Sequence, residues 1–119
     1  MEFRDKQAIY IQIADYFGNN ILKDIWKADE KVPSVRQLAV ELEVNPNTVM
    51  RTYNHLQENN IIYNKRGIGF FVSPEAKKIL TEDLKKQFIE VDLPELYRKM
   101  KLMGITNDDL VEMLSKINA

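Results

Sequence analysis

Between Val35 and Leu56 the apolar positions fall into two short helical stripes. Val35, Leu38, Ala39 and Leu42 recur at i, i+3, i+4 and i+7, and Val49, Tyr53 and Leu56 at i, i+4 and i+7. Each spacing is that of one buried helix face. Only Glu43, Val44 and Asn45 separate the stripes, so the pattern predicts two helices meeting at a steep angle across a tight turn. Both helices carry start signals. Ser34 with Gln37 three residues later forms a capping-box pattern, and Asn45 is a preferred N-cap ahead of Pro46 at a first helical position. Downstream, Ile61–Tyr63 and Phe70–Val72 are strand candidates around the run Asn64-Lys65-Arg66-Gly67-Ile68-Gly69. Glycine supplies positive φ and close backbone approach at such a tip. The succession reads as a helix-turn-helix with a wing.

The flanks repeat the helical spacing. Tyr10, Ile13, Ala14, Phe17 and Ile21 predict a helix from about Asp5 to Asp24 packed across the pair, with Trp26 as a partly buried anchor in the connection to Val32. Ser73 as cap and Pro74 as first residue open a further helix, from about Glu75 to Ile89, carrying Ile79, Leu80, Leu84, Phe88 and Val91. Asp92-Leu93-Pro94 marks a break or kink, since proline disfavours helix in the residue before it. Leu96, Tyr97, Met100 and Met103 form the next face, closed by Gly104. Thr106 with Asp109 is another capping box, leading into Leu110, Val111, Met113, Leu114 and Ile117.

The fold class is therefore mostly α with a small β-hairpin: a winged helix-turn-helix domain over residues 1–73 and an all-helical tail over residues 74–119. The tail is too short to bury its own stripes in an independent core. Leu84, Phe88, Leu96, Tyr97, Met100, Leu110, Met113 and Leu114 are accordingly predicted to form a homodimer face. Two reading helices on a two-fold axis then meet half-sites about 34–36 Å apart. A second reading gives the methionine face (Met100, Met103, Met113) to a small-molecule effector, since methionine suits adaptable surfaces.

Composition narrows the function classes. The 119 residues are 45% hydrophobic and 9% aromatic, enough for a small core and unlike a disordered chain. There is no cysteine, which excludes disulfides and thiolate metal sites. No apolar run has membrane-spanning length, and MEFRDKQAIY lacks a signal peptide's layout, so the expected location is the cytoplasm with no membrane partner. The single histidine, His55, has no nucleophile or carboxylate in motif context, and Gly67-x-Gly69 lacks the rest of a nucleotide loop. We expect no enzyme activity, no metal and no cofactor.

The net charge is −1, whereas a nucleic-acid binder is expected to be basic. The distribution answers this in part. Residues 1–30 carry −2, residues 31–74 carry +2 and residues 75–119 carry −1, so the only positive segment is the winged pair. Within it, Asn47, Thr48, Met50, Arg51 and Asn54 occupy the outward face of the second helix, with little charge and much hydrogen-bonding capacity. Recognition helices contact base edges through their N-terminal residues, and Asn or Arg pairs bidentately with purines. Lys65 and Arg66 at the tip suit phosphate or groove contact. The DNA-binding candidates are Ser34, Arg36, Asn45, Asn47, Thr48, Arg51, Asn54, Lys65, Arg66 and Gly67. The competing reading makes Asn47 and Thr48 ordinary first-turn residues, Arg51 a solvated charge, and the whole a winged-helix module that docks protein through the Asn47–Asn54 face.

The residues Ile9-Tyr10, Gln12-Ile13-Ala14, Pro33-Ser34 with Arg36, Leu38-Ala39, Asn47-Thr48-Val49, Tyr53 with Leu56, and Arg66-Gly67 with Gly69 and Phe71-Val72 together resemble the DNA-binding domain of the GntR family of bacterial transcription regulators. The likeness covers roughly residues 7 to 73. The short tail and the run Asn45-Pro46-Asn47-Thr48 resemble the YtrA-type branch. This implies a homodimeric repressor on a palindromic operator, controlling an ABC-type transporter operon near its own gene. It also implies DNA contact by Arg36, by Asn47, Thr48 and Arg51, and by the wing-tip Gly67. Pro46 and Met50 stand where other branches have arginines, so those base contacts do not transfer. Glu43 stands where many members have glycine in the turn.

Overall fold

A computed structural model describes residues 7–117. The elements run α1 (Ile9–Leu22), α2 (Val35–Leu42), α3 (Pro46–Glu58), β1 (Ile62–Lys65), β2 (Gly69–Val72), α4 (Ala76–Gln87), a π-helical turn (Phe88–Asp92), α5 (Leu93–Met103) and α6 (Asn107–Ile117). They form two compact units, one reaching to Glu82 and the other beginning at Asp83. Mostly α with one antiparallel hairpin is thus the observed class.

In the first unit the apolar stripes converge on one core. Ile13, Phe17 and Ile21 of α1 meet Leu38 and Leu42 of α2 and Val49, Tyr53 and Leu56 of α3. Tyr53 is its hub. Its ring packs edge-on to Phe17 (5.6 Å) and Phe70 (5.0 Å), and its hydroxyl donates to the Pro33 carbonyl at 2.6 Å. Burial, reinforced by the Glu41 carboxylate, pushes that hydroxyl far above the ordinary tyrosine range, so it stays a donor. One side chain therefore ties α3 to α1, to the wing and to the residue before the Ser34 cap.

The first helix contains its whole stripe but ends two residues before the predicted Asp24. It opens at Ile9 and closes at Leu22, and the predicted start at Asp5 lies outside the described residues. Its end is set by Asp24, whose φ of 62° is left-handed. The Ile25 and Trp26 amides then return to the Asn20 carbonyl, and the chain doubles back so that Trp26 packs on Phe17 at 4.5 Å. Gly18 lets α4 approach, because a Cβ there would stand 3.3 Å from Leu80.

Two further boundaries differ from the sequence pattern. The next helix begins at Ala76 rather than at Pro74; Ser73 instead heads a turn, its carbonyl accepting from the Ala76 amide. No break occurs at Asp92-Leu93-Pro94. Helical residues continue through the π-helical turn, where the Leu93 amide reaches back five residues to the Phe88 carbonyl. Pro94 has no N–H and its ring crowds the carbonyl four residues earlier. Widening one turn accommodates both defects without ending the helix.

The second unit keeps its predicted caps. Gly104 is left-handed with φ 71°, and Thr106 and Asp109 exchange backbone-to-side-chain hydrogen bonds of 3.0 and 3.1 Å. Among its described residues Met100 is the only buried apolar side chain. Leu84, Phe88, Tyr97, Met113 and Leu114 all remain about half exposed or more, and Leu96 is only slightly less open.

Replacing Tyr53 with Phe removes the hydrogen bond to the half-buried Pro33 carbonyl, which costs about 0.5–1.5 kcal/mol; urea unfolding reads the loss. Glu43→Gly works in the opposite direction. Glu43 ends α2 in the left-handed region (φ 57°, ψ 47°), a conformation that costs a side-chain-bearing residue about 1–2 kcal/mol. Glycine's extra chain entropy offsets only part of that, so a gain of about 0.5–1 kcal/mol is expected in the same assay.

Candidate nucleic-acid interface

Two caps aim the helix pair. The Ser34 Oγ accepts from the Gln37 amide at 3.1 Å while Gln37 Oε1 accepts from the Ser34 amide at 2.8 Å, completing the capping box. The Asn45 Oδ1 accepts from the Asn47 amide at 2.8 Å, with Pro46 in the first turn. The side-chain oxygens of Ser34 and Asn45 are therefore engaged in holding helix starts. Between the helices, left-handed Glu43 lets the Val44 amide return to the Ala39 carbonyl.

With Val49, Thr52, Tyr53 and Leu56 buried on one side of α3, the opposite side is open. Asn47, Met50, Arg51 and Asn54 are exposed and Thr48 is half-buried. Arg51 does not extend freely into solvent: its guanidinium carbon lies 3.9 Å from the centroid of the Tyr10 ring. Asn47, Thr48 and Arg51 share a cleft of about 310 Å³ with Ala8, Ile9 and Tyr10. Asn54, three residues beyond Arg51, does not line that cleft.

The wing is built on four paired positions, Ile62↔Val72 to Lys65↔Gly69. Gly67 sits in the tip with φ 79° and the Ile68 amide donates to the Lys65 carbonyl at 2.9 Å, a turn that favours glycine at that position. Lys65, Arg66 and Gly67 are all exposed. Tyr63 stacks on Phe71 and donates to the Asp29 carboxylate at 2.8 Å, a bond that raises the Tyr63 hydroxyl above its ordinary range. Lys65 Nζ lies 4.7 Å from the Phe71 centroid, so the base of the tip is stiffened along one face.

The segment before α2 is part of this wing. Lys31 bridges Phe71, the Val32 amide donates to the Phe70 carbonyl, and the Val72 amide donates to Glu30. The Lys31 stem lies across Gly69, where a Cβ would come within 2.9 Å of its Cε. It thereby enters a cleft of about 520 Å³ with Ser34, Arg36, Gln37, Ile68 and Gly69. Lys31 and Tyr10 were not among the site residues read from the sequence. The only hint of Lys31 was the second glycine of the tip: Gly69 lies outside the three-residue turn, and both its φ of 143° and the Lys31 stem beside it disfavour a side chain there. Tyr10 carried only its place in the α1 stripe and in the family resemblance, and neither points to Arg51.

Apart from Asn45, which caps α3, and Asn54, which lies farther along its open side, the candidates gather in three places. Ser34 and Arg36 face the wing with Lys31, Asn47 to Arg51 face α1, and Lys65 to Gly67 form the tip.

The sequence pattern of the family described as bacterial regulatory proteins, gntR family, matches residues 9–72. The chain is 36% identical over 116 residues to the HTH-type transcriptional repressor YtrA of Bacillus subtilis, covering 98% of this chain and 88% of that protein. It is 32% identical over 111 residues to YhcF of the same organism, an uncharacterized HTH-type transcriptional regulator, covering 93% and 90%. Among solved structures, a GntR family transcriptional regulator from Listeria monocytogenes superposes with a TM-score of 0.80 at 34% identity, covering 96% of this chain and 98% of that one. These relatives are regulators, not enzymes. A capped helix pair, a glycine-tipped wing and full-length similarity to YtrA and YhcF converge: the chain belongs to the gntR family of bacterial regulatory proteins, and α2–α3 is its DNA-binding helix-turn-helix.

Proposed function

We propose that the protein is a homodimeric repressor that binds a palindromic operator in the cytoplasm, with residues 1–73 as reading head and residues 74–119 as pairing tail. The observation that carries this is the open side of α3: a helix fixed by one buried stripe presents Asn47, Thr48, Arg51 and Asn54 outward. Asn47 in its first turn is positioned to pair with a base edge, and Thr48 stands beside it. Arg36 and Lys31 approach the backbone beside the wing, and Lys65 and Arg66 at the Gly67 tip approach it from the flank. Ser34 and Asn45 act by capping, which fixes the angle at which each helix meets the duplex. The 36%-identical relative named a repressor supports that sign of control. The branch likeness supports an ABC-type transporter operon near the protein's own gene as the target.

The tail supports pairing through what it leaves uncovered. Phe88, Tyr97, Met113 and Leu114 are exposed, and Leu93, Leu96, Met100 and Leu110 line an open apolar cleft of about 450 Å³. A second copy laid on these faces removes their exposed residues from water, whereas a lone chain keeps all but the already buried Met100 wetted. Among the described residues no helix is long and apolar enough to cross a membrane. A protein-docking module is the second reading, favoured by exposed Val40 and Ile68 near Arg36.

A gel-shift titration against the DNA upstream of the gene separates these. The repressor reading expects a saturable complex that weakens steeply with salt, with Asn47→Ala losing about 1–3 kcal/mol of discrimination against scrambled DNA and Arg36→Ala losing affinity. Equal affinity for scrambled and upstream DNA in the wild type leaves the docking module standing. For the tail, sedimentation at micromolar concentration is expected to give the mass of two chains. Phe88→Asp shifts it to one chain while the circular dichroism stays native, because the side chain is exposed in the lone chain. A wild-type mass of one chain removes the pairing role.

A further inference from the structure

Three neighbouring positions of α3 converge on one residue of α1. Thr52, fully buried, shares its single hydroxyl proton between the Tyr10 carbonyl at 2.9 Å and the Thr48 carbonyl at 3.2 Å. His55 meets the Tyr10 ring edge-on, with centroids 6.0 Å apart at 79°. Arg51 covers the ring's face at 3.9 Å. Tyr10 is thus fixed by backbone and by ring edge, and the remaining face carries the guanidinium. The core explains Thr52 and His55, but it does not require a cation on the exposed face.

We propose that Tyr10 is a positioning residue that holds Arg51 as a clamp for a DNA backbone phosphate at the α1–α3 junction, so that Arg51 supplies affinity and not base recognition. This rests on the DNA-binding reading above. An arginine stacked on an aromatic face keeps its edge donors free while losing its rotational freedom. Folding back over α1 also shortens its reach. Base edges lie on the floor of a groove and phosphates along its walls, so a retracted guanidinium beside the first-turn residues Asn47 and Thr48 meets the wall. The cleft these residues share with Ala8 and Ile9 is open to solvent and has room for a phosphate group. Asn47 then reads sequence while Arg51, one turn later, grips the strand.

The test uses the full chain and the duplex it selects from a random pool, with a scrambled duplex of equal length as reference. Affinities are measured over a range of salt for wild type, Tyr10→Phe, Tyr10→Ala, Arg51→Ala and the Tyr10→Ala/Arg51→Ala pair, with thermal melting of each. Arg51→Ala is expected to weaken both duplexes by the same factor, roughly tenfold, and to lower the salt slope by about 1. Tyr10→Phe, which keeps the ring face, is expected to bind as wild type. Tyr10→Ala is expected to weaken both duplexes about threefold, the value of an exposed cation–π contact, and to add nothing when Arg51 is already gone. A fall in the selected-to-scrambled ratio in Arg51→Ala overturns the assignment in favour of base reading. A further loss from Tyr10→Ala on the Arg51→Ala background overturns the positioning role, and so does unchanged binding by Arg51→Ala. Any of these leaves DNA binding itself intact, whereas a wild type that selects no duplex removes both readings.

Discussion

α3 is held through its buried side, and Tyr53 is the centre of that hold. Its hydroxyl on the Pro33 carbonyl and its ring between Phe17 and Phe70 join α3 to α1, to the wing and to the start of α2. A buried aromatic with a satisfied hydroxyl contributes area and direction together. The consequence is geometric: with Val49, Tyr53 and Leu56 committed to the core, a helix of 3.6 residues per turn must present Asn47, Met50, Arg51 and Asn54 on its other side. The polar face is open because the apolar one is saturated.

Much of this was legible in the residues, for a physical reason. Caps are local: Ser34 with Gln37, Asn45 with Pro46, and Thr106 with Asp109 each act within one turn, so their meaning does not depend on distant contacts. The stripes of α2 and α3 were equally plain because only a core selects that period. What the sequence concealed was set by partners far along the chain. Lys31 reads as connection until β2 is laid beside it, and Gly69 reads as a flexible tip residue until the Lys31 stem occupies the space a Cβ would need. Tyr10 belongs to the α1 stripe by spacing, yet its ring face is turned to Arg51 more than forty residues later.

Helix ends beyond the winged pair were legible only in part. Asp92-Leu93-Pro94 signals a break or a kink, and in a chain limited to α-helical turns a break would follow. The π-helical turn at Phe88–Asp92 is a nonlocal compromise that no dipeptide signal encodes. Glu43 is a different case. Its left-handed backbone is the one glycine adopts without strain, so the turn keeps a shape that its side chain opposes. The tail's apolar residues were readable as residues that want cover, whereas the surface that covers them is not written in one chain's spacing.

We propose that the side of α3 that the core leaves open, together with the wing tip, is the surface that touches DNA. Backbone amide shifts of the labelled protein, followed while the selected duplex is added, test it most directly. The account predicts that the changes concentrate at Asn47 to Arg51 and at Lys65 to Gly69, with α5 and α6 little affected. Changes confined to the tail, with the amides of α3 and the tip unmoved at saturation, would contradict it.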